Sequence, residues 1–296
     1  MLEAVRNLEK KSFGRGDINP FLNAGWRIRD AMPIAPSIDN FVHTHRDNKE
    51  IVGMAKIGIV HAICAAERRS RMIKYDERDD DRKDLFAPIE DTWIRKFWSI
   101  LTEGVEKNKL GEIFENVSFI IFNYDRCIEH FLFHALQVYF DISANSARKI
   151  LERVQIVHPY GVVGDLPWQN STANVPFGAQ RFDRVSSSER ISTFTELEDS
   201  KFLPELKRQV ASSDTLVFLG FSFLDLNMNL LRVDGTRVVN RIFGTAYSVS
   251  DYNCEVIRRN LARRFARDGA EVHLRNELKC AAFFDYFERD ITIPPL

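Results

Sequence analysis

Three short apolar runs between residues 117 and 219 each end in polar residues able to do chemistry. Val117–Phe122 runs into Asn123-Tyr124-Asp125, Val154–Val157 into His158-Pro159-Tyr160-Gly161, and Thr215–Leu219 into Gly220-Phe221-Ser222-Phe223-Leu224-Asp225. In open parallel sheets ligands bind outside the carboxyl ends of strands, so an amide, an imidazole and a carboxylate are expected along one such edge. Asn123 could orient water or a sugar hydroxyl, and His158, titrating near neutrality, could take a proton from either. Each residue also has a plainer role. Asn123 or Asp125 could cap the helix that follows, His158 could be a satisfied buried histidine, and Gly220 could be a tight turn with Ser222 or Asp225 capping the next helix. Their recurrence at successive strand ends favours the functional reading.

The elements that must position these residues follow from hydrophobic period. After Gly111, short runs rich in β-branched and aromatic residues alternate with amphipathic helices, the pattern of a parallel sheet covered on both faces. Strands are expected at Val117–Phe122, Val154–His158, Thr215–Leu219 and Ala246–Ser250, with a weaker one at Glu271–Leu274. Helices are expected at Asp125–Phe140, Ala144–Arg153, Leu203–Ser212 and Asp251–Asp268. Before Gly111 the reading is helical. Ser37 is a natural N-cap, and Lys49 to Met72 places Ile51, Ala55, Ile59, Ala62 and Ala66 at three-to-four-residue spacing. Asp91 to Val105 carries Trp93, Phe97 and Leu101 on one stripe, with Asp91 as its cap. The charge-dense run at 74–84 reads as a solvated loop or a frayed helix end. The expected fold is therefore α/β: a Rossmann-like parallel sheet with helices on both faces over 111–296, and a helical module over 1–110.

Composition bounds the partners. With 45% hydrophobic residues the chain can bury a large core, which excludes a disordered scaffold. Forty-one basic against forty-two acidic residues give a formal charge of −1, so nucleic acid is not an expected partner. No apolar run is long enough to span a bilayer, and the charged N-terminus lacks a signal-peptide core, so no membrane is expected and the cytoplasm is the expected compartment. Cys64, Cys127, Cys254 and Cys280 are scattered, with no CxxC pair to suggest zinc or redox chemistry. Cys127, His130 and His134 share a helical stripe that could read as metal ligands, though helix packing against a sheet explains them as well. Arg258, Arg259, Arg263, Arg264 and Arg267 form a basic face best read as solvated or ion-paired. Between Tyr160 and Ser200 lies a loop too long for an ordinary connection, in which Trp168 and Phe177 could close over a nucleotide or pin the loop to the core.

FIIFNYDRCIEHFL resembles the strand-Asn-Tyr-Asp-helix element of sirtuin-like domains, and QIVHPYGVVGDL resembles their strand-His-x-x-Gly element. TLVFLGFSFLDLNMNLL is similar to their late strand-Gly-aromatic-Ser-x-x-Asp element, and the three occur in the family's order. The upstream APSIDNFVHTHRDNKE and KIGIVHAICAAERRS resemble the helical insertion of bacterial members, so the likeness covers most of residues 30–235. It implies a nucleotide-binding α/β domain and NAD as substrate or ligand. Asn123 and His158 match the catalytic pair, and Asp125 falls where a ribose-contacting acid is expected. Gly220, Phe221, Ser222 and Asp225 match the late nucleotide-binding element. Many bacterial members are similar to NAD-cleaving effectors of antiphage defence, so cleavage of the nicotinamide–ribose bond is the implied activity. Deacetylating members hold zinc through paired CxxC motifs; their absence implies no zinc and no deacetylation.

The family also opens with a strand and a Gly-Ala-Gly-like turn that cradles pyrophosphate, whereas Gly14, Gly16 and Gly25 follow no apolar strand. Either the true start lies upstream, with MLEAVRNLEK the helix after that turn, or the loss is real. In the second case the exposed strand edges call for a dimer partner or another segment, and a homo-oligomer is expected. Two functions follow: an NAD glycohydrolase, or an inactive sirtuin-like module that senses a nucleotide or binds protein. A different α/β nucleotide hydrolase stands if the strand-end match is coincidental.

Overall fold

Ser37 accepts a hydrogen bond from the Asn40 amide, and Asn48 accepts one from the Ile51 amide, so two helices near the start of the chain are capped by their own sequence. These facts come from a computed structural model that describes residues 1–73, 86–169, 172, 174–193, 203–233 and 239–292. The charge-dense run at 74–84 lies outside the described residues. The chain is α/β, with short parallel sheets of two and three strands flanked by helices. It divides into two compact units, Met1–Arg82 with Phe119–Ser200, and Lys83–Ser118 with Lys201–Leu296.

The first unit begins with α1 (Leu2–Ser12), α2 (Asn19–Ala31), α3 (Ile38–Thr44) and α4 (Lys49–Arg68). Ala4, Val5 and Leu8 of α1, Phe21 of α2 and Ile57 of α4 form one apolar cluster with Val185. The buried positions of α4 are Ile51, Ala55, Ile57, Ile59, Val60, Cys64 and Glu67, three of them (Ile51, Ala55 and Ile59) as expected. Ala62 and Ala66, expected on the same stripe, are exposed. An alanine-rich helix offers little contrast between faces, and here the larger Ile57 and Val60 take the core while Ala62 and Ala66, unlike Ala55, are left outside.

Strand β1 (Ser118–Ile120) pairs with β2 (Gln155–Val157), and α6 (Cys127–Phe140) and α7 (Ala144–Leu151) lie between them in sequence. Both strands are shorter than their apolar runs. Helix α6 buries Phe131, Leu132, Phe133, Ala135, Leu136 and Phe140, leaving few exposed positions. A short helix, α8 (Arg184–Glu189), is capped by Asp183, which accepts from the Val185 and Ser186 amides.

The second unit contains α5 (Trp93–Thr102), which precedes β1 in the chain, then α9 (Leu203–Ser212), β3 (Thr215–Phe218), α10 (Asp225–Leu230), β4 (Val239–Thr245), α11 (Asp251–Phe265), β5 (Ala266–Arg275) and α12 (Cys280–Thr292). Its strands pair in the order β3-β4-β5, all parallel. Ile242 and Phe243 of the middle strand are fully buried. Phe243 packs with Phe283, Phe284 and Phe287 of α12, and Trp93 and Phe97 of α5 lie against that cluster. The N-cap position of α5 is Thr92 rather than Asp91, without a side-chain capping bond: the Thr92 hydroxyl donates back to the Ile89 carbonyl, and Asp91 is exposed.

The strand expected at Ala246–Ser250 is instead the turn after β4. Ser248 has φ +64°, the Val249 amide donates back to the Ala246 carbonyl, and the Ser250 side chain caps α11 by accepting from the Asn253 amide. These three features end the strand one residue before the expected start. Strand β5 is longer than the expected Glu271–Leu274, and α11 ends at Phe265 because β5 begins directly after it.

Candidate functional site

The sequence His158-Pro159-Tyr160-Gly161 folds as a turn directly after β2, closed by the Gly161 amide donating to the His158 carbonyl at 3.0 Å. Proline at the second position presets φ for such a turn. Gly161 has φ +78° and pairs with Ile191; a Cβ there would lie 2.0 Å from the Arg190 carbonyl oxygen. Only glycine fits that approach. The turn therefore holds His158 at the carboxyl end of β2, beside the bend that carries Asn123 after β1.

Both ring nitrogens of His158 are engaged. Nε2 lies 2.7 Å from Glu129 Oε1, and Nδ1 lies 3.2 Å from the Asn123 backbone carbonyl oxygen. The pair is nearly buried, with side chains 10% and 7% exposed for His158 and Glu129. Glu129 Oε2 has no hydrogen-bond partner among the described residues, so the bond to His158 is what compensates this carboxylate. Burial by itself would push the His158 imidazole down. The hydrogen bond and charge of Glu129 outweigh it, helped by the Asn123 carbonyl and the Asp125 charge, and the net shift is upward from 6.5.

Asn123 and His158 are thus brought together, though through the asparagine's backbone; its side chain is exposed. Asp125 stands in the same segment, where Oδ1 accepts from the Cys127 amide at 3.1 Å. That bond closes a local turn just ahead of α6, whose N-cap is Arg126 with no side-chain capping bond, so Asp125 shapes the approach to the helix without capping it. Tyr124, between them, donates to Asp39 at 3.0 Å, and its ring lies 6.1 Å from that of Tyr160. Burial, with Asp39 nearby, pushes the Tyr160 hydroxyl well above its ordinary range.

Arg126 anchors what surrounds this corner. It is 1% exposed and meets Glu67 through Nε at 3.0 Å and Nη2 at 2.6 Å. Nη1 also donates to the carbonyls of Gly164 and Val175, and Nη2 to that of Pro176. Glu67 Oε2 accepts from the Gly178 amide at 3.0 Å. One buried ion pair therefore fixes two stretches of the loop that follows His158, at Gly164 and at 175–178, and the planar fork of arginine supplies the geometry for it. The loop aromatics have settled on α6. Phe177 stacks on His130 with centroids 3.9 Å apart, and Trp168 stacks on Phe133 at 4.8 Å. His130 Nε2 lies 3.1 Å from the Met72 carbonyl oxygen, and burial pushes the Cys127 thiol far up. Among the described residues no group of three or more His, Cys, Asp or Glu could hold a metal ion.

In the second unit, Gly220 follows β3 with φ +59°, and its amide donates to Thr245 Oγ1 at 3.1 Å. Phe221 and Phe223 pack on Phe218, with centroids 5.5 and 5.7 Å away. Ser222 is exposed. Asp225 opens α10 and pairs with Arg264 at 3.5 Å. These four expected nucleotide-binding residues follow β3 of the three-stranded sheet, whereas Asn123 and Asp125 follow β1 and His158 follows β2 of the two-stranded sheet, so the single sheet edge expected to carry all three strand ends is replaced by the ends of two sheets.

No family model, curated protein or solved structure matches this chain. The assignment of function therefore rests on the residues themselves. Among the described residues of 1–73 there is no strand, and Gly14 and Gly16 lie in the turn after α1. The Glu9 carboxylate accepts from the Arg15 and Gly16 amides at 2.7 and 2.9 Å, so these amides are already used and do not form a phosphate cradle. Glu129 is the site residue that sequence reasoning missed. Its signal was a carboxylate in register with Leu132, Phe133, Leu136 and Phe140, on the buried side of α6.

Proposed function

We propose that this chain is a sirtuin-like protein that binds NAD and hydrolyses its nicotinamide–ribose bond at Asn123 and His158. The observation that carries the reading is the pairing of β1 with β2, which sets the Asn123 bend beside the His158 turn at adjacent strand ends. That is where an open α/β sheet receives a ligand. Cleavage passes through an oxocarbenium-like ribosyl cation and releases nicotinamide without protonation; water adds to the ribosyl carbon, and one proton is released. The exposed Asn123 amide is available to orient the water or a ribose hydroxyl. His158 in its neutral form takes the proton. Asp125, half-buried beside them, supplies the acid expected near the ribose.

A second reading has its own support. Both nitrogens of His158 already face acceptors, and the early glycine amides are committed to Glu9, as a module that binds a nucleotide without turning it over would allow. Calorimetric titration with NAD tests what the two readings share. Saturable heat with the wild type, weakened at least ~10-fold by Asn123→Ala, is expected; no heat from folded protein would overturn both. Nicotinamide release then separates them, because turnover is expected only of the first.

A further inference from the structure

His158 faces two acceptors of unequal strength. Glu129 Oε1 is a carboxylate oxygen at 2.7 Å in a nearly buried position, and the Asn123 carbonyl oxygen is neutral, at 3.2 Å, in an exposed hydrogen bond. Charge-assisted hydrogen bonds are shorter and roughly twice as strong as neutral ones. A histidine that must give up one proton therefore keeps the one on the carboxylate. Glu129 is also held in place: it lies in the first turn of α6, next to the buried Arg126–Glu67 pair, and its second oxygen has no competing partner among the described residues.

We infer that Glu129 is the positioning residue of this site, holding His158 as the Nε2–H tautomer so that Nδ1, on the exposed side beside Asn123, is the atom that exchanges a proton with a bound ligand. In the resting pair Nδ1–H donates to the Asn123 carbonyl. When the ring releases that proton to solvent water, Nδ1 carries a lone pair; a hydroxyl or water of the ligand then replaces the Asn123 carbonyl as its partner and transfers its proton there while Nε2–H stays on Glu129. Proton count balances: one leaves the ligand oxygen and one arrives at Nδ1. The charged groups facing His158 are Glu129 from α6 and Asp125 from the segment before it, and both favour the protonated ring.

The experiment is nitrogen-15 histidine NMR on the full chain, whose seven histidines are separable by substitution of His158 alone. The wild type is expected to show His158 titrating above the ordinary histidine value, with Nε2 protonated in the neutral form. Glu129→Gln removes the charge and is expected to lower that titration by about one pH unit or more. Glu129→Leu removes the acceptor at similar volume, and the neutral ring is expected to switch to Nδ1–H on the Asn123 carbonyl. An unchanged titration in folded Glu129→Gln, or a wild-type ring neutral as Nδ1–H, would overturn the assignment. The wild-type tautomer decides it even where a variant does not fold. Use of Nδ1 in turnover rests on the NAD reading; the tautomer does not. Nicotinamide release with a failed NMR result removes Glu129's role and leaves the reaction, and the converse leaves the pair.

Discussion

The imidazole of His158 and the carboxylate of Glu129 meet at 2.7 Å with both side chains nearly buried, twenty-nine residues apart in the chain. Such a pair is a stability device as well as a chemical one. The His158 pKa is raised on folding, so the pair's contribution is fully present below the ordinary value of 6.5 and is lost as pH rises through the folded value. Denaturant melts at stepped pH should find the stability gap between wild type and His158→Gln largest on the acid side and shrinking with alkalinity. A gap that grows with pH would mean that the shift has the other sign.

The Arg126–Glu67 pair ties α4, the start of α6 and the loop through Gly164, Val175 and Gly178 to one point. Removing one member leaves a buried charge without its partner, which costs about 3–5 kcal/mol. Arg126→Met should therefore lower stability by that amount and loosen the loop, read as faster proteolysis between residues 160 and 180. A loss below ~1 kcal/mol would show that the loop is held by its aromatic contacts instead.

Gly161 is required by space and by φ together. Gly161→Ala should destabilise by ~2 kcal/mol or more, because the Cβ would fall 2.0 Å from the Arg190 carbonyl oxygen and the φ of +78° disfavours alanine. Since the same turn carries His158, NAD affinity should fall with it. Gly269→Ala, at φ +81° with nothing within 4 Å of the added carbon, should cost less, and thermal melts of the two variants give the comparison.

Thiol labelling gives a check on the packing of both units. Burial pushes the Cys64 thiol up to about 11, raises Cys254, and raises Cys127 further still. Cys280, at the start of α12, and Cys127 are both partly exposed, and it is the disfavoured thiolate that sets Cys127 apart. Near neutral pH an aromatic disulfide reagent should titrate Cys280 first, with the other three reacting only as the chain opens. Fast labelling of Cys64 would contradict the packing of α4.

How far the sequence spoke depended on contrast. Strands β2 and β3 ended near the expected polar residues because each apolar run stops abruptly at His158 and Gly220. Strand β4 escaped notice because Asn240, Arg241 and Gly244 interrupt its run, while the smoother Ala246–Ser250 is a turn whose geometry depends on Ser248 and Ser250. Helix α12 escaped notice although Phe287 falls three and four residues after Phe284 and Phe283, because no cap precedes it to mark a start. The Asn123–His158 neighbourhood followed from strand-end logic. Glu129 did not, because a carboxylate facing inward finds its reason only in a histidine from another strand.

Nicotinamide release from NAD by the purified full chain, followed together with the appearance of ADP-ribose, tests the central claim most directly. The account predicts the two products in equal amounts from the wild type, and a loss of at least ~100-fold in rate for both Asn123→Ala and His158→Ala in protein that remains folded. Undiminished NAD after incubation with folded wild type, or turnover unchanged in His158→Ala, would contradict it.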